Sequence, residues 1–487
     1  KEALEIESGE WYDAEGVDRA VIALSNAVSD KGFAFVDVRP QVKRDRKNNT
    51  ININFEIREG ARVYVERIDI DGNVRTLDKV IRREFKLVEG DAFRSTKLRR
   101  SRTRIQNLNY FSRVEINNIP GSTPDKTIIK VDVAEKSTGE LSVGAGFSSS
   151  AGALADIKLR ERNLLGRGLD FRISLTLATE RQSFDVGITE PYFMDRRVAV
   201  GADIYMRNTN FIESGFQQNS VGSSIRTAFP LTEFIVMNLS YGLSKDKVIT
   251  SFFSQSPYIA NNSGDFLTSA LSYGISYNTL DDRQKPNRGQ VLTLLQQFAG
   301  LGGNEKYIRT TGLYQFYYPI YKRWVFNVSL EGGHIQGLGR DVRLNRRFFL
   351  GNPKIRGFKE AGIGPREYTE NFREYFSGFS LGGNTMYKST LELFIPLGGG
   401  ARDLGIEASA YVDAGAVFNI DAPESLINEQ GLLYTLLGDT MAPRVSVGIG
   451  FSWASPFGPF RIDLAKAIRK QRSDESEFFQ FNVGTRF

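Results

Sequence analysis

The sequence lacks cysteine altogether and has a single histidine, His334, among 487 residues. Without cysteine there are no disulfides, thiolate zinc sites or cysteine nucleophiles, and one histidine is too few for a histidine metal cluster. No apolar run approaches the roughly 18 residues typical of a transmembrane helix, which excludes a helical membrane bundle. The sequence therefore lacks the side chains on which most common catalytic chemistries depend, and we predict no metal or other cofactor.

The sequence also lacks any concentration of positive or of negative charge. Lys and Arg total 63 and Asp and Glu total 57, so the net charge of +6 is small and is spread along the chain. Nucleic acid is not a predicted partner, because a surface that binds it needs a basic stripe. The hydrophobic content of 41% argues against disorder. The chain begins with neither a methionine nor an apolar leader, so we expect it to be a piece of a longer protein.

The first 136 residues mix helical and strand patterns. Two stretches have apolar residues at three- and four-residue steps, which predicts two amphipathic helices between alternating strands, in the order strand, helix, helix, strand, strand. The helical residues are Leu77, Val80, Ile81 and Phe85, then Leu98, Ile105 and Leu108. A similar turn before a helix at Gly9 and Gly90 indicates that this unit occurs twice. We predict a partial, N-terminally truncated module over residues 1–60 and a complete one over 61–136, with spacer domains as the alternative.

From residue 137 to residue 487, apolar residues alternate with small or polar ones at period two. About sixteen candidate strands of roughly 10 residues, the length that crosses a bilayer, fit in this region. The long connections, including the longest at 337–385, follow odd-numbered strands, whereas short turns follow even-numbered ones. This asymmetry predicts a transmembrane β-barrel of about 16 antiparallel strands, preceded by α+β modules, rather than a soluble sandwich.

Closure of such a barrel places its first strand beside its last. The outward-facing residues of the first strand are predicted to be Leu141, Val143, Ala145 and Phe147, and those of the last are Phe479, Phe481, Val483 and Thr485. Gly144, Gly146 and Gly484 are predicted to lie on the inward faces of these two strands. Because glycine weakens a strand, we expect this seam to be the weakest in the barrel.

Two motifs resemble a known family: Lys354-Ile355-Arg356-Gly357-Phe358 in the longest loop and the C-terminal strand that ends Asn482-Val483-Gly484-Thr485-Arg486-Phe487. The chain resembles the central subunits of the bacterial outer-membrane β-barrel assembly machine, within the wider superfamily of outer-membrane insertases and transporters. Further matches are Asp281-Asp282-Arg283, Tyr411-Val412-Asp413-Ala414-Gly415 and Trp453-Ala454-Ser455-Pro456-Phe457-Gly458-Pro459. The resemblance covers nearly the whole chain. It implies POTRA modules in the periplasm and a barrel in the outer membrane of a Gram-negative bacterium.

The resemblance also implies roles for three groups of residues. A loop lock in the barrel lumen comprises Arg356, Gly357, Phe358, Glu392 and Asp413, with charge-assisted hydrogen bonds from the arginine to both carboxylates. A lateral gate comprises Leu141, Val143, Gly144, Ala145, Gly146 and Phe147 with Phe481, Asn482, Val483, Gly484 and Thr485. Docking of an accessory lipoprotein is assigned to Arg83 and Glu84, the glutamate being expected to offer an exposed carboxylate.

The implied function is the assembly and insertion of outer-membrane β-barrel proteins by lateral opening and β-augmentation at the seam. The implied partners are accessory outer-membrane lipoproteins, unfolded β-barrel substrates, periplasmic chaperones and the lipid bilayer. No enzyme activity, catalytic residue or cofactor is implied. The main alternative is a two-partner-secretion-type polypeptide exporter of the same superfamily. A passive porin and a hydrolase that uses His334 with Glu331 are weaker alternatives.

Overall fold

The computed structural model describes residue 6 and residues 8–33, 36–59, 62–149, 152–250, 256–283, 285–321, 323–369, 378–400, 404–455 and 458–484. The chain divides into two compact units. The first comprises Lys1–Gly139 and Glu161–Asp170, and the second comprises Glu140–Arg160 and Phe171–Phe487. Within the described ranges, no helix is both long enough and apolar enough to cross a membrane.

The first unit begins with a helix packed near a two-stranded antiparallel sheet. Its elements are α1 (Ala14–Ser29), β1 (Asp37–Asp45) and β2 (Thr50–Arg58). Helix α1 begins after Asp13, whose carboxylate accepts a hydrogen bond of 3.0 Å from the backbone N–H of Glu15. This cap satisfies one of the free N–H groups at the helix start. Val17 and Ala20 form the buried face.

A second α+β module follows in the same unit. Its elements are β3 (Tyr64–Asp71), α2 (Asp78–Arg82), α3 (Ser95–Asn107), β4 (Phe111–Pro120) and β5 (Lys126–Glu135). The sheet order is β3-β5-β4, with β3 parallel and β4 antiparallel to β5. Ile81, Leu87, Ile105 and Ile129 lie at the centre of its core, fully buried. The predicted order of strand, helix, helix, strand, strand is confirmed.

The strands from residue 139 onward pair antiparallel, and most of them pair with their neighbours in sequence. They are β6 (Gly139–Ser148), β7 (Gly152–Leu164), β8 (Leu169–Ala178), β9 (Arg181–Glu190), β10 (Ala199–Phe211), β11 (Phe216–Pro230), β12 (Ile235–Thr250), β13 (Gly264–Asn278), β14 (Gly289–Gly303), β15 (Tyr307–Tyr321), β16 (Trp324–Gly337), β17 (Arg366–Thr369), β18 (Thr385–Ile395), β19 (Ile406–Phe418), β20 (Ser425–Ile427), β21 (Leu433–Leu437), β22 (Arg444–Ser455), β23 (Gly458–Arg469) and β24 (Phe479–Val483). A short helix, α4 (Pro257–Ala260), precedes β13.

Sixteen of these strands close into a barrel in which β24 pairs with β6, so the predicted fold class is confirmed. Strands β17, β21 and β20 form a separate sheet in the long connections. In the hydrocarbon of a bilayer each unsatisfied backbone group costs several kcal/mol, so a sheet that spans it must close on itself. The alternation read from the sequence therefore corresponds to one lipid-facing and one lumen-facing side of each strand.

The long connection between β16 and β18 folds into the barrel. Leu350, Ile355, Phe358 and Ile363 from this loop are fully buried and belong to one apolar cluster with strand residues that include Met386 and Val417. Burial of four such side chains is worth several kcal/mol, at about 1.5–3 kcal/mol each. The loop tip is thus held beside the inner wall.

Candidate functional site

Arg356 lies at the loop tip and contacts two carboxylates of neighbouring strands. Its Nε and Nη2 donate to Asp413 Oδ2 and Oδ1 at 2.7 and 2.8 Å, a bidentate pair, and its backbone N–H donates to Oδ2 at 3.1 Å. Its Nη1 donates to Glu392 Oε1 at 3.2 Å. Asp413, on β19, is 0% exposed, and Glu392, on β18, is also buried. A bidentate pair between an arginine and a carboxylate is among the strongest side-chain hydrogen-bonding arrangements.

Gly357 allows the chain to turn immediately after this arginine. Its φ is +87°, and a Cβ at this position would lie 3.0 Å from the Cβ of Ser446 and 3.2 Å from that of Ala465. A larger residue would therefore be both strained and too close to the inner wall. The next residue, Phe358, is fully buried, so the Arg-Gly-Phe segment is fixed along its whole length.

Four further residues contact Arg356 or its carboxylate partners, and none of them is among the residues predicted for the loop lock. The guanidinium carbon lies 3.3 Å from the centre of the Tyr411 ring, and the Ser446 hydroxyl donates to the Arg356 carbonyl. Arg461 and Asp463 of β23 pair with each other at 2.8 Å, and Arg461 Nη2 also donates to Glu392 Oε1 at 3.2 Å. All four side chains occupy lumen-facing positions of their strands. Period-two alternation assigns these positions to the lumen and would have made the four residues candidates for contact with the loop.

The loop tip also pairs with the chain that leads into the last strand, which the sequence analysis did not predict. Glu477 donates its backbone N–H to the Gly357 carbonyl at 3.0 Å, and Gln480 Nε2 donates to the Phe358 carbonyl at 2.9 Å. Lys359 N donates to the Glu475 carbonyl at 3.1 Å. The loop segment 357–362 and the segment 475–480 are therefore held together by backbone and side-chain hydrogen bonds.

The structure describes part of the seam between β6 and β24. Within the described residues its register consists of Asn482 opposite Ser148 and Val483 opposite Phe147. Side chains supplement the backbone, since Ser148 Oγ donates to Asn482 Oδ1 at 2.7 Å and Phe481 N donates to Ser149 Oγ at 2.9 Å. By comparison, the register of β10 with β11 runs continuously from Ala199 to Phe211.

Two predicted gate glycines meet across this seam. Gly484 has φ +106°, and a Cβ there would lie 2.4 Å from the Ala145 carbonyl oxygen and 2.5 Å from the Gly146 Cα. A Cβ on Gly146 would lie 2.3 Å from the Val483 carbonyl oxygen. Only glycine fits this approach of two backbones.

The other predicted gate residues lie along the first and last strands. Leu141 and Val143 are 67% and 73% exposed on the outer face of β6, and Gly144 and Ala145 follow them in the same strand. The rings of Phe147 and Phe481 are 6.4 Å apart across the seam. Thr485, also assigned to the gate, lies outside the described residues, as do Arg486, Phe487, Pro456 and Phe457 of the family motifs.

The structure corrects the expectation for the docking pair. The carboxylate of Glu84 is not exposed: the residue is 4% exposed, and Oε2 lies 2.7 Å from Arg104 Nη2. Glu84 follows the buried Val80 by four residues and the buried Ile81 by three, so it lies on their side of the module and faces α3. Arg83 is the half-buried C-cap of α2. Glu84 is therefore a structural ion-pair partner and offers no free carboxylate to a partner protein.

The described residues contain no cluster of three or more potential metal-ligating side chains. His334 Nδ1 lies 2.9 Å from Thr385 Oγ1, whereas Glu331 Oε1 accepts a hydrogen bond of 2.6 Å from Lys354 Nζ. The two residues of the hydrolase alternative thus have different partners.

The Omp85 superfamily domain model matches residues 163–487, and the POTRA model, described as a surface antigen variable number repeat, matches residues 1–60 and 63–136. The chain is 28% identical over 492 residues to the outer membrane protein assembly factor BamA of Neorickettsia risticii, covering 100% of this chain and 63% of that protein. It thus spans less than two thirds of that relative's length.

Solved structures show the same fold. BamA from Haemophilus ducreyi lacking POTRA domains 1–3 matches with a TM-score of 0.82 and 25% identity, covering 99% of this chain and 95% of that one. CdiB from Acinetobacter baumannii matches with a TM-score of 0.53 and 12% identity, covering 98% and 83%, and shares the fold alone. The resemblance drawn from the sequence motifs is confirmed, and the chain belongs to the Omp85 superfamily.

Proposed function

We propose that the chain assembles and inserts β-barrel proteins into the bacterial outer membrane by lateral opening of its barrel between β6 and β24. In this proposal residues 1–60 and 61–136 are POTRA modules in the periplasm and residues 137–487 are the barrel. The substrates are unfolded outer-membrane β-barrel proteins. Accessory lipoproteins of the assembly machine and periplasmic chaperones are the proposed protein partners, and Arg83 retains its proposed place in lipoprotein docking.

The single observation that carries the proposal is the close approach of Gly146 and Gly484 at the seam. Within the described residues only two residue pairs define the β24–β6 register, whereas central strands pair over most of their length. Because glycine weakens a strand, these glycines make the seam the easiest place for the barrel to open, and opening leaves the edge of β6 unpaired. An unpaired edge is a template on which an incoming strand can add by β-augmentation.

The lumen supports this mechanism. A polar cavity of about 530 Å³ extends from the proposed lock residues Arg356 and Glu392 to the seam residues Ser148, Asn482 and Gly484. Since the loop tip hydrogen-bonds the chain entering β24, the proposed lock also supports the closed gate. Release of the loop and separation of the seam are accordingly steps of one rearrangement.

The test is a reversible covalent tie across the seam. Phe147→Cys and Val483→Cys face each other in the register, at a Cα separation of about 4.5–5.5 Å, within disulfide range. In liposomes, we expect oxidation to stop insertion of an unfolded outer-membrane protein and a reductant to restore it. The matched control, Ile204→Cys with Ser223→Cys between β10 and β11, should leave insertion unchanged.

Full insertion activity with the β6–β24 disulfide quantitatively formed would refute the lateral opening. Export of a soluble polypeptide through the barrel, with no insertion of barrel proteins, would instead favour the secretion-type alternative.

A further inference from the structure

The outer wall of the barrel carries a groove that the proposed function does not use. Its volume is about 650 Å³, and it crosses β16, β18, β19, β22 and β23 on the lipid-facing side. The register places Leu393, Ala410, Ile449 and Leu464 in one row across these strands. Ala410 is the small member among larger aliphatic neighbours, so the wall is indented there.

One end of the groove carries a positive charge. Lys466 lies on β23 opposite Val447, and both project from the same face as Leu464, away from the lumen-facing Asp463. Among the described residues, no carboxylate lies within 4.0 Å of the Lys466 ammonium. An ammonium on a lipid-facing wall is costly unless it reaches the interface or an anion.

The orientation of the groove suits one membrane lipid. Lys466 lies three residues before Arg469, where β23 ends and a longer connection begins. Phe326, at the far side of the groove, lies two residues after the start of β16, which follows a short turn. The distance from β23 to β16 is four strand spacings, about 19 Å. An acyl chain can therefore lie in the apolar groove while its headgroup remains near the membrane surface at Lys466.

We propose that this groove binds an anionic, phosphate-bearing lipid of the bilayer, with an acyl chain across Ala410 and the headgroup phosphate on Lys466. Charge complementarity selects an anionic lipid over a zwitterionic one, and the mostly apolar lining selects a lipid over a soluble anion. The groove ends at β23, and only β24 separates that strand from the seam, so the bound lipid lies beside the wall next to β24. The inference rests on the proposed placement of the barrel in a bilayer and is independent of its assembly activity.

The test measures lipid binding to the full chain in detergent, with phosphatidylglycerol and phosphatidylcholine as probes and native mass spectrometry as the readout. We expect phosphatidylglycerol to bind more tightly than phosphatidylcholine. Lys466→Gln should weaken phosphatidylglycerol binding about five- to ten-fold, and Lys466→Arg should retain it. Ala410→Leu, which fills the indentation, should weaken both lipids.

Lys245 provides the matched control. It also faces outward, beside the lumen-facing Asp246 on β12, but does not line the groove. Lys245→Gln should leave binding unchanged. Equal binding of the two lipids to the parent chain, or equal effects of Lys466→Gln and Lys245→Gln, would overturn the proposal. Because no substrate protein is present, failure here is distinct from failure of the proposed assembly function.

Discussion

Removal of the Arg356 side chain should release the long loop while leaving the barrel intact. In Arg356→Ala, Asp413 loses a bidentate partner and retains a hydrogen bond of 2.8 Å from Thr390, and Glu392 retains Arg461. Breaking a buried pair by removing one partner costs about 3–5 kcal/mol, because the remaining charge is left uncompensated. At 1.4 kcal/mol per factor of ten, the released population should rise by roughly a hundred- to several-thousand-fold.

Limited proteolysis measures this population, because cleavage follows the opening equilibrium when the loop closes faster than it is cut. Trypsin cleavage after Lys354 and Lys359 should accelerate in Arg356→Ala. The control Arg340→Ala removes an exposed arginine of the same loop, which makes one hydrogen bond of 2.9 Å to the Asn304 carbonyl, and should change little. Retention of the β-barrel is checked by its resistance to heat denaturation in detergent.

Adding Asp413→Asn to Arg356→Ala should reverse part of the acceleration, because the uncompensated carboxylate is then neutral. If Arg356→Ala is cleaved no faster than Arg340→Ala, the ion pairs do not hold the loop and the reasoning is refuted. If the double variant behaves as the single one, the loss lies in missing contacts rather than in buried charge.

Three other predictions follow from particular residues. Gly484→Ala should lower the yield of disulfide crosslinking across the seam, whereas Gly312→Ala, where a Cβ meets nothing within 4 Å, should leave it unchanged. Glu84→Lys should destabilise its module by about 3–5 kcal/mol, measured by hydrogen exchange, and exchanging the charges of Glu84 and Arg104 should recover part of that. Burial raises the pKa of Glu367 to about 7. The protection that its protonated form gives β17 against hydrogen exchange should therefore be complete below about pH 4.5 and lost as the pH rises through 7. In Glu367→Gln that protection should be independent of pH.

The barrel was predictable because lipid imposes simple rules on the sequence. A strand that separates hydrocarbon from water must alternate at period two, and its sheet must close, so alternation and connection lengths suffice to place sixteen strands. The approach of Gly146 to Gly484 was likewise accessible, since both glycines lie where the first and last strands must meet. These predictions depended on local pattern and on closure alone.

Contacts between distant segments were not predictable in the same way. The hydrogen bond from Gln480 to the Phe358 carbonyl joins residues that are 122 positions apart, and no periodicity links them. The expected exposure of Glu84 came from the family resemblance, whereas its helical spacing from Val80 and Ile81 places it on their buried face. The pairing of β17 with β21 also joins two long connections whose conformations the alternation does not describe.

The hydrogen bonds between loop segment 357–362 and segment 475–480 impose a thermodynamic reciprocity. If the loop must leave before the last strand can move, any ligand that favours the displaced loop also favours the open seam, by the same factor. In the proposed mechanism the converse holds as well, since a strand that captures the exposed edge of β6 would weaken the hold on the loop tip. Under the proposed lateral opening, a binding event on the long-loop side of the barrel would thus change the affinity for a strand arriving at the seam, with no direct contact between the two.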